Sequence, residues 1–249
     1  MKGRVIIVGL GPGSEKLVSE EVKEAILKAT DIVGYKKYTE RITPRKGLTI
    51  HSSDNKFEIS RAKLAVNLAL DGKRVVIVSS GDPGIFAMSS AFFEYIEETD
   101  KNLDNIEIKV MPGISSMLAA SSKVGSPLGH DFCVINLSDN LKPWSQLKKR
   151  IVSAIKSDFV VVFFNPRSRA RPETFKEALD LFKKHSKFDR FILFAKSVYK
   201  KNENLKIIRL SEADHKMADM NTLVIIGSTL SKVIKKKQTF FYTPRSYNH

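Results

Sequence analysis

The segment Val5-Ile6-Ile7-Val8-Gly9-Leu10-Gly11-Pro12-Gly13 decides the fold, because an apolar run leads directly into a loop built mostly of glycine and proline. The apolar run predicts a buried strand. The glycines let a bound molecule approach the main chain, while Pro12 fixes its own φ and offers no N–H group. Ser14 can cap a following helix that Glu15, Glu20, Glu21 and Glu24 indicate, since acidic residues are favoured near the positive end of a helix. The order strand, tight loop, helix predicts a ligand-binding loop, with a ligand-free turn as the alternative.

The spacing of these glycines differs from that of dinucleotide-binding loops. Those loops require G-x-G-x-x-G, whereas Pro12 and Gly13 directly follow the second glycine here. The spacing therefore disfavours a nicotinamide or flavin site.

Loops of the same kind follow two more predicted strands. One apolar run leads into Ser79-Ser80-Gly81-Asp82-Pro83-Gly84-Ile85-Phe86, and another leads into Pro112-Gly113-Ile114-Ser115-Ser116. Ligands of open α/β sheets bind beyond the carboxyl ends of the strands, so we expect the three loops to line one crevice. Asp82 is the polar group of the second loop, either as a site residue or as the initiator of its own Asp-Pro turn.

Alternating strand and helix patterns predict a largely parallel sheet in the first part of the chain. Strands are predicted near 4–8, 31–34, 74–79 and 106–111, with helices near 15–29, 57–71 and 87–99. A second sheet is predicted after residue 112, with strands near 132–137, 159–164, 190–196, 205–210 and 222–227 and helices near 143–155 and 172–185. We expect domains at 1–112 and 113–232 and a mobile basic tail at 233–249.

Together, the motifs Gly9–Gly13, Gly81–Pro83 and Pro112–Ser115 resemble those of the tetrapyrrole methylases, and the resemblance covers nearly the whole chain. Further segments resemble the branch that methylates C17 of precorrin-3B, with ring contraction, in cobalamin biosynthesis. These segments are Ile32–Lys36, Pro127–Phe132, Asn136–Trp144 and Asn165–Arg169. The resemblance implies an α/β fold of two domains, each a mainly parallel or mixed sheet flanked by helices, with the active-site cleft between them. It also implies a homodimer.

The resemblance further implies the methyl donor and the residues that hold it. S-adenosyl-L-methionine, which leaves as S-adenosyl-L-homocysteine, is expected to contact Leu10, Pro12, Gly81, Asp82, Ile85, Phe86, Ser115, Ser116, Asn165 and Thr222. Methyl transfer from a sulfonium mainly requires positioning, because the methyl group arrives activated. Ring contraction also needs proton movement, for which Asp82, Asp139 or a carboxylate of the substrate are candidates; the sequence does not choose among them.

The net charge indicates an acidic ligand. The formal charge is +15, from 42 basic and 27 acidic residues, and such a field attracts anions. Precorrins carry acetate and propionate side chains, so Arg167, Arg169 and Arg171 are candidate substrate-binding residues, with a solvated basic loop as the alternative. No helix pattern combines a basic face with a strongly apolar one, which disfavours membrane attachment. Outside the tail residues Phe240, Phe241, Tyr242 and Arg245, aromatic and basic residues do not interleave as in an RNA-binding motif, which disfavours nucleic acid.

The remaining composition is that of an ordinary globular chain, with 42% hydrophobic and 28% charged residues. No apolar run is long enough to span a bilayer and the amino end leads into a strand, so we expect a cytoplasmic protein. The single cysteine, Cys133, excludes an internal disulfide, and the five histidines show no metal-ligand spacing.

Two alternatives and one question stay open at this point. The chain could be another tetrapyrrole methylase, acting on a different precorrin carbon or on ribosomal RNA, or a non-enzymatic module that binds anions or nucleic acid. The sequence does not show whether the macrocycle carries cobalt.

Overall fold

The computed structural model of the chain describes residues 2–246. These residues form two compact units, here unit 1 and unit 2, and the chain passes from one to the other between Ser115 and Ser116. The division lies shortly after the expected boundary at residue 112, so the whole Pro112–Ser115 loop belongs to unit 1.

Unit 1 is built on a five-stranded parallel sheet. Its elements are β1 (Gly3–Gly9), α1 (Glu20–Lys28), β2 (Asp31–Tyr35), α2 (Lys36–Thr39), β3 (Thr49–Ser53), α3 (Glu58–Leu70), β4 (Arg74–Ser79), α4 (Met88–Glu98) and β5 (Ile106–Met111). The strand order is β3-β2-β4-β1-β5, and every neighbouring pair is parallel. The carboxyl ends of all five strands therefore lie at one edge of the sheet, which brings the loops after β4, β1 and β5 side by side.

Helices cover both faces of this sheet, which explains why its central strands are apolar throughout. Val5 and Ile7 of β1 pack in one cluster with α3 and α4, whereas Ile6 and Val8 pack in another with α1. Successive side chains of a strand point to opposite faces, so one strand supplies both layers.

The structure of unit 1 corrects one predicted helix and contains two elements that the sequence did not predict. The predicted helix over 15–29 is a 3₁₀ turn at Glu15–Leu17 followed by α1, because Ser19 starts a new helix by accepting the Val22 N–H at 3.4 Å. The sequence pattern also does not indicate α2 or β3. β3 has no apolar run, since it is the edge strand of this sheet, next to β2.

Unit 2 is built on a mixed sheet. Its elements are α5 (Ser116–Val124), β6 (Gly125–Ser126), β7 (Phe132–Asn136), α6 (Trp144–Lys156), β8 (Val160–Phe164), α7 (Thr174–His185), β9 (Phe191–Lys196), β10 (Asn204–Arg209), β11 (Thr222–Ile226), β12 (Lys232–Lys235) and β13 (Thr239–Tyr242). The main sheet has the order β10-β9-β11-β8-β7, in which β7 and β8 are parallel and the other pairs antiparallel. A parallel sheet in unit 1 and a mixed sheet in unit 2 confirm the expected fold class.

The core of unit 2 combines aromatic packing with one buried charge. Phe163 of β8 meets Phe175 and Phe182 of α7 edge to face, with ring centroids 6.5 and 6.0 Å away. The guanidinium of Arg190, 2% exposed, pairs with Asp158 at 2.8 Å and also donates to main-chain carbonyls. This ion pair ties the start of β9 to the end of α6.

The expected mobile tail over 233–249 is wrong for most of its length. β12 and β13 form a hairpin, and β13 also pairs with β6, which makes a three-stranded sheet. Phe241 is fully buried, whereas the lysines that suggested a tail lie exposed along and between the two strands. Apolar burial of one face therefore holds this segment in the fold. Residues 247–249 of the predicted tail lie outside the described residues.

Candidate active site

The three glycine-rich loops of unit 1 meet at main-chain contact. A Cβ atom built on Gly9 would collide with the carbonyl oxygen of Gly81 and lie 2.7 Å from the Cα atom of Gly113. A Cβ atom on Gly113 would collide with the same oxygen. These neighbours are backbone atoms and have no side chain to move aside, so the convergence of the loops requires glycine at both positions.

Hydrogen bonds join the first two loops directly. Gly81 donates its N–H to the carbonyl of Gly11 at 2.9 Å, and Gly11 donates to the carbonyl of Gly81 at 3.2 Å. Both residues have left-handed φ values, +65° at Gly11 and +63° at Gly81. Glycine reaches this conformation without the strain that a Cβ atom brings, so the pair forms a short bridge between the ends of β1 and β4.

Asp82 connects the second loop to the third. Its Oδ1 atom accepts the N–H of Gly84 at 2.8 Å, and its Oδ2 atom accepts the N–H of Gly113 at 2.9 Å. The carboxylate thus initiates its own turn and also anchors the neighbouring loop. Because each oxygen already accepts a main-chain N–H, this arrangement makes Asp82 a tether of the loops more than a proton carrier.

The other expected cofactor residues of unit 1 surround this contact. Leu10, Pro12 and Ser115 are buried. Ile85 is half-buried, and Phe86, with a left-handed φ of +51°, exposes 45% of its surface. Phe86 therefore presents an aromatic ring beside the glycine bridge.

In unit 2 a second set of polar residues lies at one edge of the mixed sheet. β7 and β8 are parallel and β11 runs against β8 and β9, so the ends of β7, β8 and β9 and the start of β11 share that edge. Asn165 follows β8 with a left-handed φ of +50°, and its Nδ2 atom donates to Oδ1 of Asn136 at 3.1 Å. The expected residues Asn165 and Thr222 thus lie at the same edge, while Ser116 begins α5.

The hydroxyl of Thr222 is already engaged within the chain. It donates to Oδ1 of Asp219 at 2.9 Å and accepts the Asp219 N–H at 3.1 Å. Lys196 adds an ion pair to Asp219 at 2.6 Å. Burial acts to raise the pKa of Asp219, but Lys196 and the hydrogen bonds from Asn221 and Thr222 outweigh it and lower that pKa. The side chain of Thr222 is left able only to accept a further hydrogen bond.

The three arginines proposed for the substrate have different surroundings. The Arg171 side chain, 11% exposed, donates to the carbonyl of Leu137 at 2.9 Å and lies 3.6 Å from Oδ1 of Asp139. Arg167 donates to the carbonyl of Pro172 at 3.2 Å, and Arg169 is exposed. Arg171 and Asp139 therefore support the loops of unit 2, and Arg167 and Arg169 are the members of the group with room for a ligand.

The sequence comparison identifies the family to which these loops belong. The sequence model of the tetrapyrrole (corrin/porphyrin) methylases matches residues 4–214, which includes all three glycine-rich loops of unit 1. The chain belongs to the tetrapyrrole methylases. The resemblance drawn from the loop motifs is thereby confirmed.

Relatives among the tetrapyrrole methylases match the chain over its full length. It is 39% identical to a precorrin-3B C(17)-methyltransferase of Sinorhizobium sp, over 99% of this chain and 98% of that protein. It is 37% identical to a probable cobalt-factor III C(17)-methyltransferase of Salmonella typhimurium (strain LT2), over 97% of this chain and 98% of that protein.

Solved structures of tetrapyrrole methylases share the fold. The crystal structure of the methyltransferase CobJ superposes with a TM-score of 0.93 at 47% identity, covering 97% of this chain and 100% of that one. The uroporphyrin-III C-methyltransferase of Thermus thermophilus, solved in complex with S-adenosylhomocysteine, has a TM-score of 0.65 at 20% identity, covering 90% and 92%. At that identity the second likeness is one of fold.

Two features of this tetrapyrrole methylase were not predicted from its sequence. Arg41 donates to the carbonyl of Leu10 at 2.7 Å and so supports the first glycine-rich loop from 31 residues away, a distance that no local pattern reveals. Ser89, on the first turn of α4, has a buried Oγ atom without a hydrogen-bond partner among the described residues. No signal in the sequence marks either residue.

Residues 2–246 were searched for membrane-spanning helices and for metal-binding groups of side chains. None of their helices combines the length and the apolar character needed to cross a membrane. In the same part of the chain, no three His, Cys, Asp or Glu side chains are grouped so that they could hold a metal ion.

Proposed function

We propose that this tetrapyrrole methylase transfers a methyl group from S-adenosyl-L-methionine to C17 of precorrin-3B or of its cobalt-containing counterpart, with ring contraction, in cobalamin biosynthesis. The observation that carries the proposal is the full-length similarity to a precorrin-3B C(17)-methyltransferase, 39% identical over 99% of this chain. The match includes the converging loops of unit 1.

The loops of unit 1 fit the methyl donor that the proposal requires. Gly9 and Gly113 let the three loops meet at main-chain contact, because a Cβ atom on either would collide with the carbonyl oxygen of Gly81. Glycine also lets a ligand approach the main chain of such loops. Leu10, Pro12 and Ile85 would contact the donor from the loops, and Phe86 offers an exposed ring. By resemblance, Ser115, Ser116, Asn165 and Thr222 complete the contacts. When bound, S-adenosyl-L-methionine supplies a methyl group activated by the positive sulfur.

The residues of this chain contribute mainly by positioning. Holding reactants in contact geometry can lower a barrier by several kcal/mol without covalent help from side chains. The tether of Asp82 to Gly84 and Gly113 and the bond of Arg41 to Leu10 give the loops fixed partners before any ligand arrives. Both candidate carboxylates already have partners in the chain: Asp82 accepts the N–H groups of Gly84 and Gly113, and Asp139 lies 3.6 Å from Arg171. We therefore infer that the proton movements of ring contraction rely on groups other than these two carboxylates.

The positive field suits the proposed substrate. A net charge of +15 favours a macrocycle that carries several carboxylates. Arg167 and Arg169 are the proposed ligands from unit 2, because Arg171 is occupied by Leu137 and Asp139. Truncation of Arg167 to alanine should raise the KM for the macrocycle and reduce its salt dependence, while the affinity for S-adenosyl-L-homocysteine stays unchanged.

One experiment tests the proposed reaction and the form of the substrate together. The purified chain is incubated with labelled S-adenosyl-L-methionine and either precorrin-3B or cobalt-factor III, and the position of the label is found by mass spectrometry and NMR. Label at C17 of one macrocycle supports the proposal and shows which form the enzyme accepts. Label at another carbon, or transfer only to ribosomal RNA, would assign a different activity within the family. Absence of binding to S-adenosyl-L-methionine would favour a non-enzymatic module.

We also propose that the enzyme acts as a homodimer in the cytoplasm. Resemblance to the family supports the dimer, and a biosynthetic role on a free macrocycle supports the location. Sedimentation equilibrium of the full chain tests the first statement, because a mass of 28.0 kDa at every concentration would contradict it. Fractionation of cells that express the chain tests the second.

A further inference from the structure

The carboxyl edge of the unit 1 sheet extends past the cofactor loops to the ends of β2 and β3. Tyr35 of β2 pairs in register with Ser53 of β3, and Gly34 pairs with Val78 of β4. Because Gly9 pairs with the next residue of β4, Tyr35 and Gly9 lie on the same row with β4 between them. Two strand spacings separate them by about 10 Å.

A compact group of tyrosine and arginine side chains occupies this part of the edge. The rings of Tyr35 and Tyr38 meet edge to face with centroids 5.2 Å apart, and the guanidinium carbon of Arg61 lies 5.9 Å from the Tyr35 ring centre. Gly34 permits the arrangement, since a Cβ atom there would lie 2.6 Å from a methyl carbon of Val78. The same Cβ atom would lie 3.0 Å from a methyl carbon of Thr39 in α2, so glycine lets α2 pack directly after β2, with Tyr38 beside Tyr35. We call Tyr35, Tyr38 and Arg61 the tyrosine–arginine cluster.

Arg61 is a buried charge whose ion pair with Glu58 is long, at 3.7 Å. The residue is 4% exposed, its Nε atom donates to Oγ of Ser53 at 2.8 Å, and one terminal nitrogen donates to the carbonyl of Asp54. Among the described residues, the polar partners of the other terminal nitrogen are the sulfur of Met88 and the carboxylate of Glu58, both at 3.7 Å. Burial lowers the pKa of Arg61, but a guanidinium stays protonated in proteins. A buried cation of this kind is better stabilised by an additional hydrogen-bonded anion.

The hydroxyls of Tyr35 and Tyr38 are the other hydrogen-bond donors of the tyrosine–arginine cluster. Neither the Tyr35 nor the Tyr38 hydroxyl has a hydrogen bond to any residue in the 2–246 range. Burial raises the pKa of Tyr38, so its hydroxyl keeps its proton and can donate. Arg41 follows α2 and bonds to Leu10, which connects this region to the first glycine-rich loop.

We propose that the tyrosine–arginine cluster is a subsite that binds one carboxylate of the macrocycle beside the cofactor loops. The proposal rests on the proposed function, which supplies a polycarboxylate substrate. Tyr35 and Tyr38 donate from their hydroxyls and Arg61 from its less engaged nitrogen, and Arg61 also supplies the positive charge. The cluster thereby gives a role to the motif Ile32–Lys36, which the cofactor loops leave without one.

Tyr35→Phe tests this subsite with the least disturbance, because the ring and its contacts stay and the hydroxyl that is removed has no hydrogen-bond partner among the described residues. Loss of a hydrogen bond to a carboxylate should raise the KM for the macrocycle about tenfold, with kcat changed less than about twofold. Arg61→Lys keeps the charge but loses the planar fork, and it should raise the KM further. The affinity for S-adenosyl-L-homocysteine, measured by calorimetry, should stay at the wild-type value in Tyr35→Phe.

Tyr95→Phe is the matched control, since it makes the same change on α4 of unit 1 away from the cluster, and it should leave the KM unaltered. An unaltered KM in Tyr35→Phe, Tyr38→Phe and a folded Arg61→Lys, with an active wild-type enzyme, would overturn the subsite and leave the proposed function standing. Failure of the wild type to methylate either macrocycle would overturn both. Should Arg61→Lys not fold, the two tyrosine variants still decide.

Discussion

The substitution Asp82→Asn is expected to loosen the contact between the second and third loops. The native carboxylate accepts one main-chain N–H on each oxygen, from Gly84 at 2.8 Å and from Gly113 at 2.9 Å. An asparagine keeps one acceptor and turns an NH₂ group toward the other N–H. A hydrogen bond to a charged group contributes about 1.5–3 kcal/mol, so the variant should lose about that much stability in this contact.

The same loss should appear in cofactor affinity if the joined loops are the form that binds. In the variant, part of the binding free energy would then be spent on rejoining the loops. This should weaken the affinity for S-adenosyl-L-homocysteine about 10- to 150-fold, since 1.36 kcal/mol corresponds to a factor of ten. Calorimetric titration measures the affinity, and denaturant unfolding measures the stability. Asp104→Asn is the control, because that exposed carboxylate in the same unit accepts no hydrogen bond from the described chain. Wild-type affinity in Asp82→Asn would refute the role of the tether in the binding form.

Three further outcomes are expected. Gly9→Ala should abolish binding of S-adenosyl-L-homocysteine or prevent folding, because its Cβ atom meets backbone, whereas Gly47→Ala meets no atom within 4 Å and should cost only about 1–2 kcal/mol for its positive φ; equal effects in urea unfolding would contradict this. Arg190→Met removes the ion-pair partner of Asp158, which keeps its hydrogen bonds from Thr229, and should destabilise the protein by about 3–5 kcal/mol in urea unfolding, while the exposed Lys184→Met should be nearly neutral. Burial raises the pKa of Cys133 to about 11, so the folded protein should react slowly with a disulfide reagent at pH 8 and faster as the pH rises toward that value, and fast reaction at pH 8 would argue against burial of the thiol.

The sequence predicted the sheets well where the strands are apolar on both faces. β1, β4 and β8 are runs of valine, isoleucine and phenylalanine, and such runs are recognisable because these strands are buried along almost their whole length. β3 and the hairpin of β12 and β13 have mixed composition, since β3 and β12 are edge strands and β13 is only partly buried. Their pairing depends on partners far along the chain, such as β6 for β13, and local patterns do not contain that information.

The residues of the candidate site also fall into two groups, those that the sequence predicted and those that it did not. The glycines of the three loops were predictable, because a backbone that must approach another backbone excludes every other residue. The choice among the arginines was not, since Arg167 and Arg171 differ only in what their guanidinium groups meet. Arg171 meets the Leu137 carbonyl from a different strand end, 34 residues away. Arg41 and Arg61 also act through partners distant in sequence, so neither stood out from the other basic residues.

The sequence by itself determined the alternation of strands and helices, the three strand-end loops and, through their motifs, the family. These features depend on local chemistry: apolar periodicity, the conformational freedom of glycine and the fixed φ of proline. Only the tertiary structure decided that Asp82 bonds to Gly113, that Thr222 is held by Asp219, and that Tyr35, Tyr38 and Arg61 form one cluster. The strand order and register set these contacts, because they bring together side chains and main-chain groups from separate elements of the chain.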